Sequence, residues 1–161
     1  MPESQYLPTY KGCFVCGHPD VNPNTLNRRF KVTSDGVEVF FKADYRQAGY
    51  KDIVHGGVIT ALLDETMGWS VAVERKKLFV TGEITVRFVR PLPTELEVKV
   101  TGRTVENKSR YSVANGEITD AKDTVYAKAT GKFFLMKDFN ASEINSYLTY
   151  AKNDLNIFAD E

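Results

Sequence analysis

The sequence carries no net charge: 21 Lys and Arg residues balance 21 Asp and Glu residues over 161 positions. That balance excludes the basic footprint of a non-specific nucleic-acid binder or of a protein drawn to anionic membranes. Cysteine is scarce, with Cys13 and Cys16 the whole complement, so no disulfide framework is expected. No basic segment followed by an apolar run stands behind Met1-Pro2-Glu3-Ser4. A signal peptide is therefore not expected, and the chain is assigned to the cytoplasm. Long hydrophobic runs are missing too: the stretch from Gly56 to Val73 is broken by Asp64 and Glu65 and is too short and too charged for a membrane span. Internal repeats, low-complexity tracts and long linkers are absent. What is present is an average globular composition, 42% hydrophobic and 26% charged, in a length that suits one domain with its own core.

The chain divides into three stretches. Residues 1–27 are irregular, punctuated by Gly12, Gly17, Pro19 and Pro23. Residues 28–136 carry the periodic patterns, and residues 137–161 form a terminal extension. Val37, Val39 and Phe41 alternate with more polar positions after Ser34-Asp35-Gly36, which predicts a hairpin between 28–33 and 37–42. The period then changes. Ile59, Leu62, Leu63, Thr66, Trp69 and Val73 fall at helical spacing from Gly56 to about Glu74. Four strand-like runs follow, at 77–90, 95–106, 110–119 and 124–136, with short connections that imply antiparallel neighbours. Ile144, Leu148 and Ala151 predict a last helix over 141–155. A long apolar helix needs cover on nearly every side, and a curled antiparallel sheet supplies it. The fold class is α+β.

Chemistry concentrates in Val54-His55-Gly56-Gly57-Val58-Ile59-Thr60-Ala61-Leu62-Leu63-Asp64-Glu65. Gly56 and Gly57 suit a helix start that a ligand must approach closely. The first turn of a helix offers unpaired N–H groups and the positive end of the dipole, which stabilise a developing oxyanion. The same glycines also suit an ordinary turn into a core helix. Asp64 has mostly small or apolar helical neighbours, and a carboxylate there is paired, at a subunit contact, or poised for catalysis. Glu65, about 100° further around the helix, is the alternative acid. Gly56 and Asp64 stand roughly 12 Å apart along one helix, too far to serve one carbonyl that needs both groups at about 3 Å. Two antiparallel copies of the helix, related by a two-fold axis, resolve this by forming two composite sites.

These residues resemble a known family. His55-Gly56-Gly57 with Asp64 nine positions after the His, and Thr81-Gly82-Glu83-Ile84-Thr85-Val86-Arg87-Phe88-Val89-Arg90-Pro91-Leu92-Pro93, are similar to the hotdog-fold acyl-CoA thioesterases, in order over about residues 28–136. The nearest groups are the phenylacetate-pathway and 4-hydroxybenzoyl-CoA types and the animal thioesterase-superfamily proteins. The resemblance implies a sheet wrapped around the central helix, and dimers often paired into tetramers. It also implies acyl-CoA hydrolysis with no metal and no organic cofactor. Asp64 is similar to the family's general base or nucleophile, and Gly56 to the residue whose N–H polarises the thioester carbonyl. His55 holds the helix start, and Thr81 falls where relatives place a hydroxyl that positions water. Each of these two also has a plain structural reading.

The chain departs from the pattern before the His. Some relatives have an Asn or Gln there; Gly49 stands six residues before His55, and Gln47 is a displaced candidate. Arg90, and Lys108, Ser109 and Arg110 at a strand turn where relatives contact CoA, are candidates for its phosphates, and Gly57 for close approach of the substrate. Cys13-Phe14-Val15-Cys16-Gly17-His18 is half of a zinc site or a redox pair. With no second Cys pair and His18 at most a third ligand, reduced thiols without a metal are expected. The competing functions are a non-catalytic acyl-CoA sensor and a hotdog hydratase or dehydratase. The latter's His and acid arrangements are not found.

Overall fold

A computed structural model of the chain describes residues 5–138 and 140–158. Strands β1 (Thr9–Tyr10), β2 (Lys31–Thr33) and β3 (Gly36–Lys42) precede a small hairpin of β4 (Ala48–Tyr50) and β5 (Ile53–Val54). Helix α1 (Gly56–Arg75) follows, then β6 (Phe79–Phe88), β7 (Glu97–Asn107), β8 (Tyr111–Thr119) and β9 (Val125–Leu135). The chain closes with α2 (Ala141–Tyr147) and β10 (Leu148–Thr149). Six strands form one antiparallel sheet in the order β2-β3-β7-β8-β9-β6.

The alternation in the sequence becomes the two faces of this sheet. Val37, Val39 and Phe41 of β3 are buried, while Phe40 and Lys42 between and beyond them are exposed. Along β9, Ala127, Ala129, Gly131 and Phe133 face inward. Helix α1 lies against that inner face through Ile59, Leu62, Leu63, Thr66, Met67 and Val71. Leu62, Leu63, Met67 and Val71 have no exposed surface, and each such burial contributes about 1.5–3 kcal/mol. Helix and sheet approach closely at Gly102, where an added Cβ would sit 2.6 Å from the Thr66 carbonyl oxygen.

The helix is not enclosed by the sheet alone. Its outer side is covered by the two terminal stretches, whose Leu7, Val15, Cys16, Leu26, Ile157 and Phe158 join the same core. The terminal helix is shorter than the 141–155 its periodicity predicts: it ends at Tyr147, and Leu148 and Thr149 pair with Tyr10 and Thr9 of β1. Ser142, Asn145 and Ser146 are weak helix formers, and a helix this short has little stability of its own. The backbone bonds offered by the N-terminal stretch prevail. Between β3 and α1 the stretch 43–54 holds the β4–β5 hairpin, and the irregular first stretch holds β1.

Strand β6 lies at one edge of the sheet, bonded to β9 on one side only. No helix among the described residues is long and apolar enough to cross a membrane.

Candidate active site

Two of the expected site features stand at opposite ends of the first half of α1. At its start, His55 is the N-cap, with its Nδ1 accepting the Gly57 N–H at 2.8 Å. The His55 carbonyl accepts the N–H groups of Val58 at 3.0 Å and Ile59 at 3.2 Å. The first-turn N–H left without a partner among the described residues is that of Gly56. An unpaired N–H at the positive end of a 20-residue helix is free to donate to a negatively charged ligand atom. His55 is itself fixed, its N–H bonded to the Gln47 carbonyl at 2.8 Å. The Gln47 side-chain oxygen accepts the Asp44 N–H at 2.9 Å in a capping box, so only its amide NH2 is available to a ligand. Phe88, near the far end of β6, lies over Gly56.

The second feature is Asp64, two turns along the helix. Its Oδ1 accepts a 2.6 Å hydrogen bond from Thr81 Oγ1 on β6. Among the described residues Asp64 forms no ion pair. Burial raises its pKa above the ordinary aspartate value, and the Thr81 hydroxyl opposes that rise. Asp64 and Thr81 border a pocket of about 290 Å3 whose apolar wall includes Trp69, Phe79, Phe133 and Leu148. A basic carboxylate beside a hydroxyl and an apolar pocket is equipped to activate water against a bound acyl group.

Glu65, the alternative acid, faces the N-terminal stretch. Its Oε1 accepts the Trp69 indole N–H at 3.2 Å and lies 3.5 Å from Cys13 Sγ. Burial, and next the negative charge of Cys13, push its carboxyl up to about 8. The Cys13 thiol is held low, first by a hydrogen bond from Cys16, whose own pKa is raised in turn.

Among the phosphate-binding candidates, Ser109 and Arg110 border a groove of about 650 Å3 together with Lys132 and Lys137. Lys132 Nζ sits 4.1 Å from the Tyr111 ring centroid and 5.4 Å from that of Phe134. Lys132 and Lys137 are additions to the sequence reading. The alternation of β9 and its register with β8, Tyr111 opposite Phe134, is the signal that could have found Lys132. Lys108 is apart from this groove and pairs with Glu106 at 2.9 Å. Arg90 is also apart, beyond the Phe88 end of β6, bonded to the Val125 carbonyl at 2.6 Å.

Comparison with known proteins shows what the chain as a whole is similar to. The family model of the thioesterase superfamily matches residues 51–127, a span that includes the His55 turn, Asp64, Thr81 and Arg110. An uncharacterized protein of Schizosaccharomyces pombe is 31% identical over 103 residues, 61% of this chain and 59% of that protein. A crystal structure of a thioesterase superfamily protein superposes with a TM-score of 0.70 at 26% identity, over 77% of this chain and 60% of its own. This chain thus spans about three fifths of the length of both. A hypothetical thioesterase of Streptococcus pneumoniae, solved with coenzyme A, has a TM-score of 0.63 at 22% identity, over 68% of this chain and 86% of that one. A Streptococcus mutans protein bound to acetyl-CoA has a TM-score of 0.61 at 23% identity, over 66% and 88% of the respective chains. With its antiparallel sheet, its central helix and a second short helix near the C-terminus, the chain carries the hotdog fold, and its residues 51–127 match the thioesterase superfamily.

Proposed function

We propose that the protein hydrolyses acyl-CoA thioesters to a free acid and CoA, as a cytoplasmic homodimer or a dimer of such dimers, with each site shared between two chains. The observation that carries this reading is Asp64: a carboxylate without a cationic partner among the described residues, bonded to Thr81 on the wall of an apolar pocket. The CoA and acetyl-CoA carried by the two streptococcal structures support an acyl-CoA ligand.

The edge position of β6 supports the shared site. Antiparallel pairing of β6 with its twin about a two-fold axis sets the Thr81 end of one strand against the Phe88 end of the other. Asp64 follows Thr81 and Gly56 follows Phe88, so Asp64 of one protomer meets the Gly56 turn of its partner. In the general-base route, Asp64 takes a proton from water as the water oxygen bonds to the thioester carbon. The Gly56 N–H holds the oxyanion, and Thr81 orients the carboxylate and water. Collapse of the tetrahedral intermediate breaks the C–S bond, and the proton on Asp64 passes to the departing sulfur. In the nucleophilic route, Asp64 attacks the carbon directly, and the C–S bond breaks to release CoA as its thiolate. Water then cleaves the acyl-enzyme anhydride to the free acid and the Asp64 carboxylate, its proton passing to the thiolate. His55 fixes the oxyanion turn, the Gln47 amide stands as a second donor, and Gly57 lets the substrate approach closely. Ser109 and Arg110, joined by Lys132, take the CoA phosphates, with Lys108 and Arg90 as outlying positive charges.

Thiol release from a panel of short, medium, aromatic and branched acyl-CoAs tests the proposal, comparing wild type with Asp64→Asn and Glu65→Gln. Turnover that falls furthest in Asp64→Asn is the expected result. A larger loss in Glu65→Gln moves the acid by one residue. Tight binding without turnover by wild type replaces hydrolysis with an acyl-CoA sensor.

A further inference from the structure

The hydrolase reading leaves one group of side chains without a task. Cys13 and Cys16 lie outside the 51–127 span matched by the superfamily model, yet they reach Glu65, the immediate neighbour of Asp64. We propose that Cys13, Cys16 and Glu65 bind a thiolate-preferring divalent cation of the zinc class, with the fourth coordination position facing the pocket that Asp64 borders.

The local backbone is shaped for this. The N–H groups of Val15 and Cys16 both point at Cys13 Sγ, each at 3.3 Å, a pair of donors that stabilises a thiolate. The Gly17 N–H bonds to the Cys13 carbonyl at 3.0 Å and closes the turn. A Cβ on Gly17 would stand 2.2 Å from that carbonyl oxygen, so the turn that presents both sulfurs accepts only glycine at its end.

The third ligand comes from the helix. Cys13 Sγ and Glu65 Oε1 are 3.5 Å apart. In a tetrahedral zinc site with ordinary Zn–S and Zn–O bond lengths, the sulfur-to-oxygen edge is roughly 3.6 Å. The ligand atoms of Cys13, Cys16 and Glu65 all lie within 4.8 Å of one another. Trp69 donates to the Glu65 carboxyl, the kind of outer contact that orients a metal ligand. Among the described residues no Lys, Arg or His pairs with this carboxyl, so three acidic groups converge without a countercharge. Two sulfurs and one carboxylate match a borderline-soft ion rather than calcium or magnesium, which prefer oxygen ligands throughout.

The sequence reading sees one Cys pair and counts His18 as at most a third ligand. His18 instead turns outward, accepting the Asp20 N–H at 3.2 Å, and Glu65 supplies the ligand from 49 positions beyond Cys16. Cys13, Cys16, Asp64 and Glu65 all border the same pocket, which is why the remaining position is open. The cation ties the N-terminal stretch to α1 beside the acyl pocket. Its binding does not depend on the hydrolase reading.

The test uses the full chain, reduced with a phosphine, and Zn2+ and Co2+ as probes. One Zn2+ per chain is expected by competition with a chromogenic chelator, with both thiols shielded from a disulfide reagent once Zn2+ is bound. Co2+ is expected to give a thiolate-to-metal charge-transfer band and tetrahedral visible absorption. Cys13→Ser and Glu65→Gln each lower the affinity more than Trp69→Phe, which costs about 10–100-fold. Glu65→Gln keeps the side-chain shape and both sulfurs, and circular dichroism confirms that each variant is folded. Sub-stoichiometric binding by wild type, a Co2+ spectrum without the charge-transfer band, or unchanged affinity in folded Glu65→Gln overturns the proposal. None of these readouts involves thioester cleavage, so failure of the metal site and failure of the hydrolase reading remain distinguishable.

Discussion

Thr81 on the edge strand and Asp64 on the central helix, 17 positions apart in sequence, are joined by a 2.6 Å hydrogen bond from hydroxyl to carboxylate. The bond favours the charged form of Asp64, while burial favours the neutral one, and burial prevails.

A pH dependence follows with a definite sign. In the proposed reaction Asp64 acts as base or nucleophile only when ionised, and its pKa lies above the ordinary aspartate value of about 3.9. The acidic limb of kcat/KM is therefore expected above that value, with activity lost as pH falls through it. Thr81→Val removes the interaction that lowers the pKa, so its limb moves to higher pH, and Thr81→Ser restores the wild-type position. A limb that stays fixed in Thr81→Val detaches this pair from the rate.

The Gly56 donor can be removed without removing the helix. Proline is favoured at the first helical position and lacks an N–H. His55 has φ −60° and ψ 133°, a conformation that the residue before proline adopts readily. A Cβ at position 56 meets Phe88 at 3.4 Å, an ordinary contact. Gly56→Pro is expected to lower kcat about 10²–10³-fold with little change in Tm. Full activity in a folded Gly56→Pro protein removes the oxyanion role.

Composite sites predict complementation between inactive chains. A heterodimer of Asp64→Asn and Gly56→Pro holds one site with both groups intact and one with neither. Random reassortment of equal amounts returns about a quarter of wild-type activity per chain, since half of the dimers carry one working site in two. Each variant alone stays inactive. No recovery after mixing, with heterodimers detected by native mass spectrometry, places both groups of a site in one chain.

The basic groove is tested by shortening the substrate. Lys132→Ala removes a cation beside Arg110, and KM for an acyl-CoA is expected to rise about tenfold, on the order of 1.4 kcal/mol, with kcat unchanged. The same variant leaves KM for an acyl-pantetheine thioester unaltered, because that substrate lacks the nucleotide phosphates. An equal rise for both substrates removes the phosphate assignment.

Much of this molecule is legible residue by residue. The alternation at Val37, Val39 and Phe41, the helical spacing from Ile59 to Val73 and the turn at Pro91-Leu92-Pro93 place the elements, because burial of one face imposes a period on the chain. The His-Gly-Gly turn shows itself by composition, and Asp64 by its apolar neighbours. The terminal helix shows the limit. Ile144 and Leu148 do pack against the core, as their spacing suggests, but Leu148 does so from a strand because β1 offers it backbone bonds.

The sequence by itself determined the order of the main strands and the central helix, the glycine turn at that helix's start, and the roughly 12 Å between that turn and Asp64. These are local matters, settled by side-chain period and by the geometry of one helix. Only the tertiary structure decided that Thr81 bonds Asp64, that Lys132 joins Arg110, and that Glu65 meets the two cysteines. Those contacts depend on which strand lies at the sheet edge and on where the terminal stretches cross the helix. Both are fixed by the packing of the whole core, which no short window of residues encodes.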